Sequence, residues 1–469
     1  MAPKPRTDRS AAPLHVVILA AGQGTRMRSA LPKVLHPIAG RPMLEHVLAT
    51  AQSLGAACCH VVVGHGAETL RAWLATAHAG ATDLQLAVQA EQLGTAHAVQ
   101  QAMPNIPDEA RVLILYGDVP LIQADTLQAL LQVSGDGLGV LTAVAPDPYG
   151  YGRIVRSAAG AVQRIVEEKD ATPAQRRIAE INTGVLTAPA RRLRTWLDKV
   201  GNDNAKREFY LTDVVKLASR DRVRLRTVAA ESLEEVLGVN DRVQLAAQER
   251  AWQRRQALAM MRQGVGIRDA ERFDLRGSLL CGQDVHLDVG VVIEGEVELG
   301  DHVHVGAYTV LRNVKIGAGT HVESHSVLDS AIVGRGCRIG PFARLRPDTR
   351  LADQVHVGNF VEIKKSTLGE GSKANHLAYL GDARIGSRVN VGAGVITCNY
   401  DGVNKHPTVI GDGAFIGTDT QLIAPVTIGA GAYIAAGSSI AMDAPADQLT
   451  ICRAREQRSL PGWKRPKKQ

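Results

Sequence analysis

The sequence predicts an α/β protein in two parts: a domain with a mostly parallel sheet, then a parallel β-helix built of hexapeptide repeats. Three observations predict it. Strand-like runs alternate with helical stretches through the first 240 residues. From Leu287 to Ile440 an aliphatic residue recurs every six positions. Glycine rises with that period, from 21 in residues 1–280 to 24 in the much shorter span 281–440.

In the first part, apolar runs at Val16–Ala20, His60–Val63, Val112–Tyr116 and Gly139–Val144 read as strands. Met43–Leu54, Glu68–Thr76, Ala96–Met103 and Ala124–Gln132 read as helices between them. This alternation is the signature of strands joined by helical crossovers. Arg242–Met261 is polar and free of Gly and Pro, so it reads as one long joining helix. The expected divisions are 1–240, 241–262 and 263–469.

The period of six fits neither helix nor ordinary strand. The series runs Leu287, Ile293, Leu299, Val305, Leu311, then slips by one residue to Ile316, Val322, Leu328. It continues through Val333, Ile339, Leu345, Leu351, Val357, Ile363, then Leu368, Ala374, Leu380, then Ile385, Val391, Thr397. After an interruption come Ile410, Ile416, Leu422, Ile428, Ile434 and Ile440. Each hexad makes one short strand and one turn, and three hexads make one triangular coil. The aliphatic residue is expected to point inward and stack on its equivalents, while small residues allow the tight turns. The interruption, Cys398–Pro407, is polar, and insertions of this kind loop out from one face of a solenoid.

The net charge of +7 invites a nucleic-acid partner. Its distribution argues against one. Residues 453–469 carry seven bases and one acid, and residues 1–10 carry three bases and one acid, so the body between is close to neutral. Aromatic residues are only 4%, too few for single-strand stacking platforms. No run reaches the ~18 apolar residues of a membrane span. The N-terminus has no apolar segment of signal-peptide type, and the six cysteines include no C-x-x-C pair. The expectation is a cytoplasmic chain with reduced thiols and without nucleic-acid or membrane partners.

Two groups of residues carry chemistry. Leu19-Ala20-Ala21-Gly22-Gln23-Gly24-Thr25-Arg26 follows a predicted strand and precedes Lys33. Glycines there expose backbone N–H groups that can hold phosphate, or simply make a tight turn, and Arg26 and Lys33 add two cations. Tyr116-Gly117-Asp118 ends the apolar strand, and a carboxylate at that end of a parallel strand lies where open α/β sheets bind ligands. In the second part, Arg346, Lys364, His376, Tyr379, Asn390, Asn399 and Tyr400 cluster within a few coils and the insertion. Coils stack roughly 4.8 Å apart, so such residues can converge.

The LAAGQGTRM…LPK run resembles the sugar-nucleotide pyrophosphorylases. With the hexads behind it, residues 14–465 resemble the bacterial bifunctional N-acetylglucosamine-1-phosphate uridyltransferase/glucosamine-1-phosphate N-acetyltransferase family. The resemblance implies a Rossmann-like nucleotidyltransferase domain and a left-handed β-helix. It implies acetylation of glucosamine-1-phosphate by acetyl-CoA, then transfer of UMP from UTP to give UDP-N-acetylglucosamine for cell-wall and lipopolysaccharide synthesis. The UTP and UDP-sugar positions it implies are Leu19, Ala20, Ala21, Gly22, Lys33, Gln89, Gln92, Gly94, Thr95, Tyr116, Gly117, Asp118, Gly152, Glu167, Asn182 and Asn240. Gln89 and Gln92 could each offer a donor and an acceptor to uracil. Asp118 and Asn240 are the implied Mg²⁺ ligands, a donor set that suits this hard ion, while Lys33 and Arg26 neutralise phosphate charge.

For the second site the resemblance implies His376 as general base, with Glu362 as a helper. Arg346, Lys364, Tyr379 and Asn390 hold glucosamine-1-phosphate. Ala393, Asn399, Tyr400, Thr418, Ala436 and Arg453 bind acetyl-CoA, and the assembly is a homotrimer. His97, His325 and His406 receive no catalytic role. Thr418 stands where the family favours serine, and Gln23 where lysine is common. A monofunctional pyrophosphorylase with a purely structural β-helix and a non-catalytic scaffold are the competing readings. The polar cluster and insertion argue against the first, and the Gly22, Lys33, Asp118, Asn240 set against the second.

Overall fold

The computed structural model describes residues 12–22, 24–64 and 67–453. They divide into two compact units between Trp252 and Gln253.

The sheet of the first unit runs in the order Leu225–Ala229, Leu138–Val144, Glu180–Pro189, Arg111–Tyr116, Leu14–Leu19, Cys58–Val63, Leu84–Val88. Glu180–Pro189 is antiparallel to both neighbours, and the other pairings along this path are parallel. The apolar runs expected as strands form the middle of this sheet. The expected helices form at Met43–Ser53, Ala67–Ala77, Thr95–Ala102 and Ala124–Ser134. Because successive strand residues alternate faces, Val17 and Val62 enter one core layer while Val16, Ile18 and Val61 enter the other. Both faces are thus covered, as a parallel sheet requires. The C-terminal ends of the two central strands, Leu19 and Tyr116, end side by side. The glycine loop and Asp118 therefore leave the sheet at one edge.

Arg242–Arg262 is a single helix, as its composition predicts. Trp252 stacks edge-on against His46 within the first unit, their ring centroids 4.4 Å apart. The next residue, Gln253, is buried in the second unit, where its amide accepts from Leu275 N at 2.7 Å and donates to Leu275 O at 3.1 Å.

The second unit is a parallel β-helix. Every residue of the six-residue series, from Leu287 to Ile440, is buried. Each lies over its equivalent in the next coil: Val305 pairs with Val322, Val322 with Ile339, Ile339 with Val357 and Val357 with Ala374. The one-residue slips fall at one corner, where Asn313, Ser330, Lys365 and Asp382 adopt positive φ and shorten the turn. Small residues are not required at every corner. Tyr308, His325, Phe342 and Phe360 also hold positive φ, and their rings stack 5.0–5.3 Å apart from coil to coil. That stacking offsets the strain of the left-handed backbone. His325 therefore has a structural place.

Because each inward residue touches equivalents above and below, truncation leaves a cavity that neighbouring coils cannot close. Ile363→Ala, between Glu362 and Lys364, should destabilise the second unit by about 2–5 kcal/mol, read by urea unfolding. A change below about 1 kcal/mol would mean the column can collapse around the gap.

Candidate functional site

At the sheet edge of the first unit, Leu19, Ala20, Ala21, Gly22, Lys33, Gln89, Gln92, Gly94, Thr95, Tyr116 and Asp118 line one cavity of about 310 Å³. Lys33 Nζ donates to Asp118 Oδ2 and lies 3.4 Å from Asn240 Oδ1. Two oxygen donors, 122 positions apart in sequence, thus converge on one cation. The strand end sets Asp118, the short helical turn Lys33–Leu35 sets Lys33, and Asn240 stands just before the long helix. A carboxylate and an amide oxygen are a fitting partial ligand set for Mg²⁺.

Gln89 is buried, and its amide N–H groups are spent on Gly94 O at 3.0 Å and His97 Nδ1 at 3.1 Å. Gln92 donates to Ala21 O at 2.6 Å. Gln89 is therefore left with its oxygen as the group to offer a base, rather than a donor and an acceptor, and His97 serves to hold it. Gly94 has φ +121, and a Cβ there would lie 2.5 Å from Phe209 O, so this turn demands glycine. A Cβ on Gly117 would press on Val34 at 3.2 Å.

Beside the cavity, Asn182 N donates to Gly152 O at 2.8 Å, and a Cβ on Gly152 would lie 3.4 Å from the Glu167 carboxylate. Burial pushes the Glu167 carboxyl up, against the pull of a hydrogen bond from Thr212 Oγ1 at 3.0 Å. Gly152, Glu167 and Asn182 form one group. Arg26 lies exposed on the turn Thr25–Met27, apart from the cavity lining. Gln23 falls outside the described residues.

In the β-helix, register assembles the second site. Asn359 pairs directly with His376 in the next coil. Two residues past each inward Val391, Ile416 and Ile434, which stack on one another, stand Ala393, Thr418 and Ala436. Since Ala374 stacks on Val391, His376 occupies the same position one coil earlier. Asn359, His376, Ala393, Thr418 and Ala436 thus form one column on one corner. The residues after His376 in this column are small, so an extended chain can lie along it.

His376 Nδ1 is 2.9 Å from Asn359 Oδ1. An amide oxygen only accepts, so in the neutral ring this contact selects the tautomer with the proton on Nδ1 and a lone pair on Nε2. Sequence reasoning missed Asn359. Its signal was the spacing: it lies one coil before His376.

On the adjoining face, Glu362 pairs with Tyr379 and Lys364 with Gly381. Arg346 Nη1 donates to Glu362 Oε1 at 2.7 Å. Thr397, the one polar residue in the inward series, takes a hydrogen bond from Gly381 N at 2.7 Å and so fixes the Tyr379–Gly381 strand. Lys364 is pushed below its ordinary value, first by the neighbouring Lys405 amine and then by Arg346. Lys364, Lys405 and Arg346 thus come together as three cations, and Lys405 is a member that sequence reasoning missed. Asn390 stands one coil above Lys373 on another face.

The insertion is a hairpin closed by a Tyr400–Lys405 bridge. Asp401 organises it, accepting from Val403 N at 2.8 Å, Asn404 N at 2.6 Å and His406 Nε2 at 2.7 Å. His406 is therefore a loop brace. Asn399 is buried beneath the loop and donates to Asp382, while the Tyr400 ring is exposed and its hydroxyl donates to Gly402 O at 2.6 Å. Arg453 is exposed, and the basic tail beyond it, Lys464–Lys468 included, lies outside the described residues.

Residues 16–184 match the model of the MobA-like NTP transferase domain. Residues 275–368 match the GMPPB C-terminal domain, and residues 407–441 the bacterial transferase hexapeptide (six repeats). A curated relative from Alkalilimnicola ehrlichii, named bifunctional protein GlmU, is 60% identical over 453 residues, covering 97% of this chain and 96% of the relative. One of the same name from Aromatoleum aromaticum is 57% identical over 456 residues, covering 97% and 99%. The chain belongs to the GlmU family. It is a bifunctional enzyme, a uridyltransferase in its first part and an acetyltransferase in its hexapeptide part. No described helix is long and apolar enough to cross a membrane.

Two predictions follow from the GlmU hexapeptide site. Asn359→Ala should lower kcat for acetyl transfer about 5- to 10-fold with KM little changed, as loss of one neutral hydrogen bond implies; equal kcat would detach Asn359 from His376. The Asp401 carboxyl is held down at about 2, from 3.8, chiefly by the backbone N–H of Asn404. A depressed carboxyl stabilises the folded hairpin above its unfolded value and loses that contribution as pH falls through its folded one. Protection of the Val403 and Asn404 amides, taken relative to their intrinsic exchange at each pH, should therefore hold at neutral pH and fall between about pH 4 and 2. In Asp401→Asn that protection should be low and independent of pH.

Proposed function

We propose that the two sites divide the synthesis of UDP-N-acetylglucosamine as follows. In the β-helix, the Arg346, Lys364, Lys405 cluster holds the phosphate of glucosamine-1-phosphate, with Tyr379 and Asn390 on its hydroxyls. His376 Nε2 takes a proton from the sugar ammonium. The free amine attacks the acetyl-CoA thioester carbonyl, the C–S bond breaks with its electron pair going to sulfur, and the nitrogen's surplus proton passes to that thiolate, giving CoA as the thiol. The column Ala393, Thr418, Ala436 receives the extended arm of CoA, with Asn399 and Tyr400 at its side and Arg453 toward its phosphates. The Asn359–His376 pair is the observation that carries this reading, because it fixes which nitrogen is the base.

In the first unit, Gln89, Gln92, Gly94 and Thr95 hold uracil, and Gly22 with Lys33 holds the triphosphate. Gly152, Glu167 and Asn182 seat the acetylated sugar. A phosphate oxygen of the sugar attacks the α-phosphorus of UTP in line, and pyrophosphate leaves. Asp118 and Asn240 would hold Mg²⁺, which supplies neutralisation of phosphate charge when bound. Lys33 then turns its ammonium from Asp118 toward the phosphates, and catalysis is positioning plus charge. The working divisions are 1–240, 241–262 and 263–469. The assembly is a homotrimer in the cytoplasm, as the resemblance implies.

Incubation with glucosamine-1-phosphate, acetyl-CoA, UTP and Mg²⁺ should give CoA, pyrophosphate and UDP-N-acetylglucosamine. Asp118→Ala should remove pyrophosphate release and leave CoA release intact. His376→Ala should lower CoA release about 10²–10⁴-fold, while pyrophosphate release stays intact when N-acetylglucosamine-1-phosphate is supplied in place of glucosamine-1-phosphate. Acetylation at the parent rate by His376→Ala, or uridyl transfer at the parent rate by Asp118→Ala, would refute the assignment concerned.

A further inference from the structure

At the start of the central strands, away from the nucleotide edge, lies a group that neither reaction uses. The strands Leu14–Leu19 and Cys58–Val63 are parallel neighbours, with His15 opposite Cys58 and Val17 opposite His60. His15, Cys58 and His60 therefore face the same side of the sheet. One ligand-type atom from each lies within 4.8 Å of the other two. His15 Nδ1 is 2.9 Å from His60 Nε2, and the rings stack with centroids 5.3 Å apart. His15 is 8% exposed, Cys58 6% and His60 0%.

This is a costly way to fill a core. His60 Nδ1 is buried without a hydrogen-bond partner, which an apolar residue of the same shape would avoid. The carboxylates of Asp83 and Glu109 add negative potential near the thiol and His15.

We propose that His15, Cys58 and His60 form a structural site for a thiophilic divalent cation of the zinc type. Two imidazoles and a thiolate select such an ion over Mg²⁺. Tetrahedral bonds of roughly 2.0–2.1 Å to nitrogen and 2.3 Å to sulfur need the two ring nitrogens only a few tenths of an ångström further apart. Binding replaces the imidazole–imidazole hydrogen bond, whose proton moves to the donor ring's other nitrogen, displaces the Cys58 thiol proton to solvent and leaves a fourth position for water. The ion would clamp the two strands whose far ends carry the glycine loop and Gly64.

The test uses the full chain, stripped with chelator and titrated with Zn²⁺ against a chromophoric competitor, then with Co²⁺. The expected result is one tight equivalent per chain, a thiolate-to-cobalt charge-transfer band, and a Zn²⁺-dependent rise in Tm. Cys58→Ser should abolish the band and weaken Zn²⁺ about 100-fold or more. His15→Asn should also weaken it and serves if Cys58→Ser does not fold. His304→Asn, in the exposed stack of His286, His304 and His321, should leave the tight equivalent unchanged. Absence of a thiolate band, or a tight equivalent that survives Cys58→Ser or His15→Asn, would overturn the proposal.

Discussion

One constraint organises the hexapeptide half: each inward aliphatic side chain must sit on its equivalent one coil away. Seventeen residues separate Val305 from Val322, and eighteen separate Ile339 from Val357. Burial of the column holds these pairs in register, because a one-residue shift would turn an apolar side chain out and a polar one in. Everything outside the core inherits that alignment. It places Asn359 against His376, sets Ala393, Thr418 and Ala436 in line, and brings Arg346 beside Lys364. The coil residues of the proposed acetyl-transfer site take their places from it, with Thr397 bonded to Gly381 N beside Tyr379, and the exception is the inserted hairpin. That loop lacks the column and is held by the Asp401 carboxylate instead.

The nucleotide half rests on a different use of the same kind of strand. Its parallel strands end together, so Leu19, Val63 and Tyr116 deliver three loops to one edge. The chemistry there is a convergence of oxygen atoms on a cation, with Lys33 held between Asp118 and Asn240. Glycine matters where backbones meet, as at Gly94 against Phe209, while some sharp corners do without it. Stacked rings at Tyr308, His325, Phe342 and Phe360 show how a corner can do without it.

Period and alternation made the fold legible. The six-residue series located one buried inward residue per hexad from Leu287 to Ile440, and the run free of Gly and Pro located the long helix. The site was legible where a residue sits at a strand end or repeats a family motif, as with Asp118 and His376. It was not legible where function depends on a partner's commitment. Nothing in the sequence says that the Gln89 amide is spent on Gly94 and His97. Lys405 lies in the hairpin, where no period places it, and only its approach to Lys364 reveals it. Asn359 was within reach, since it stands one coil before His376, but a polar residue beside a corner has no chemistry until its neighbour is known. The His15, Cys58, His60 group was hidden for the same reason: Cys58 and His60 sit on one strand and His15 on its neighbour, and only the pairing register joins them.

The central claim is that coil register alone prepares His376 as a base with its Nε2 free. Nitrogen-15 NMR of ring-labelled histidine, with His376 assigned by its loss in His376→Gln, reads the tautomer directly. At a pH where the ring is neutral, the account predicts a proton on Nδ1 and a bare Nε2, with that preference lost in Asn359→Leu. A proton on Nε2 in the parent protein, or a tautomer indifferent to Asn359, would contradict it.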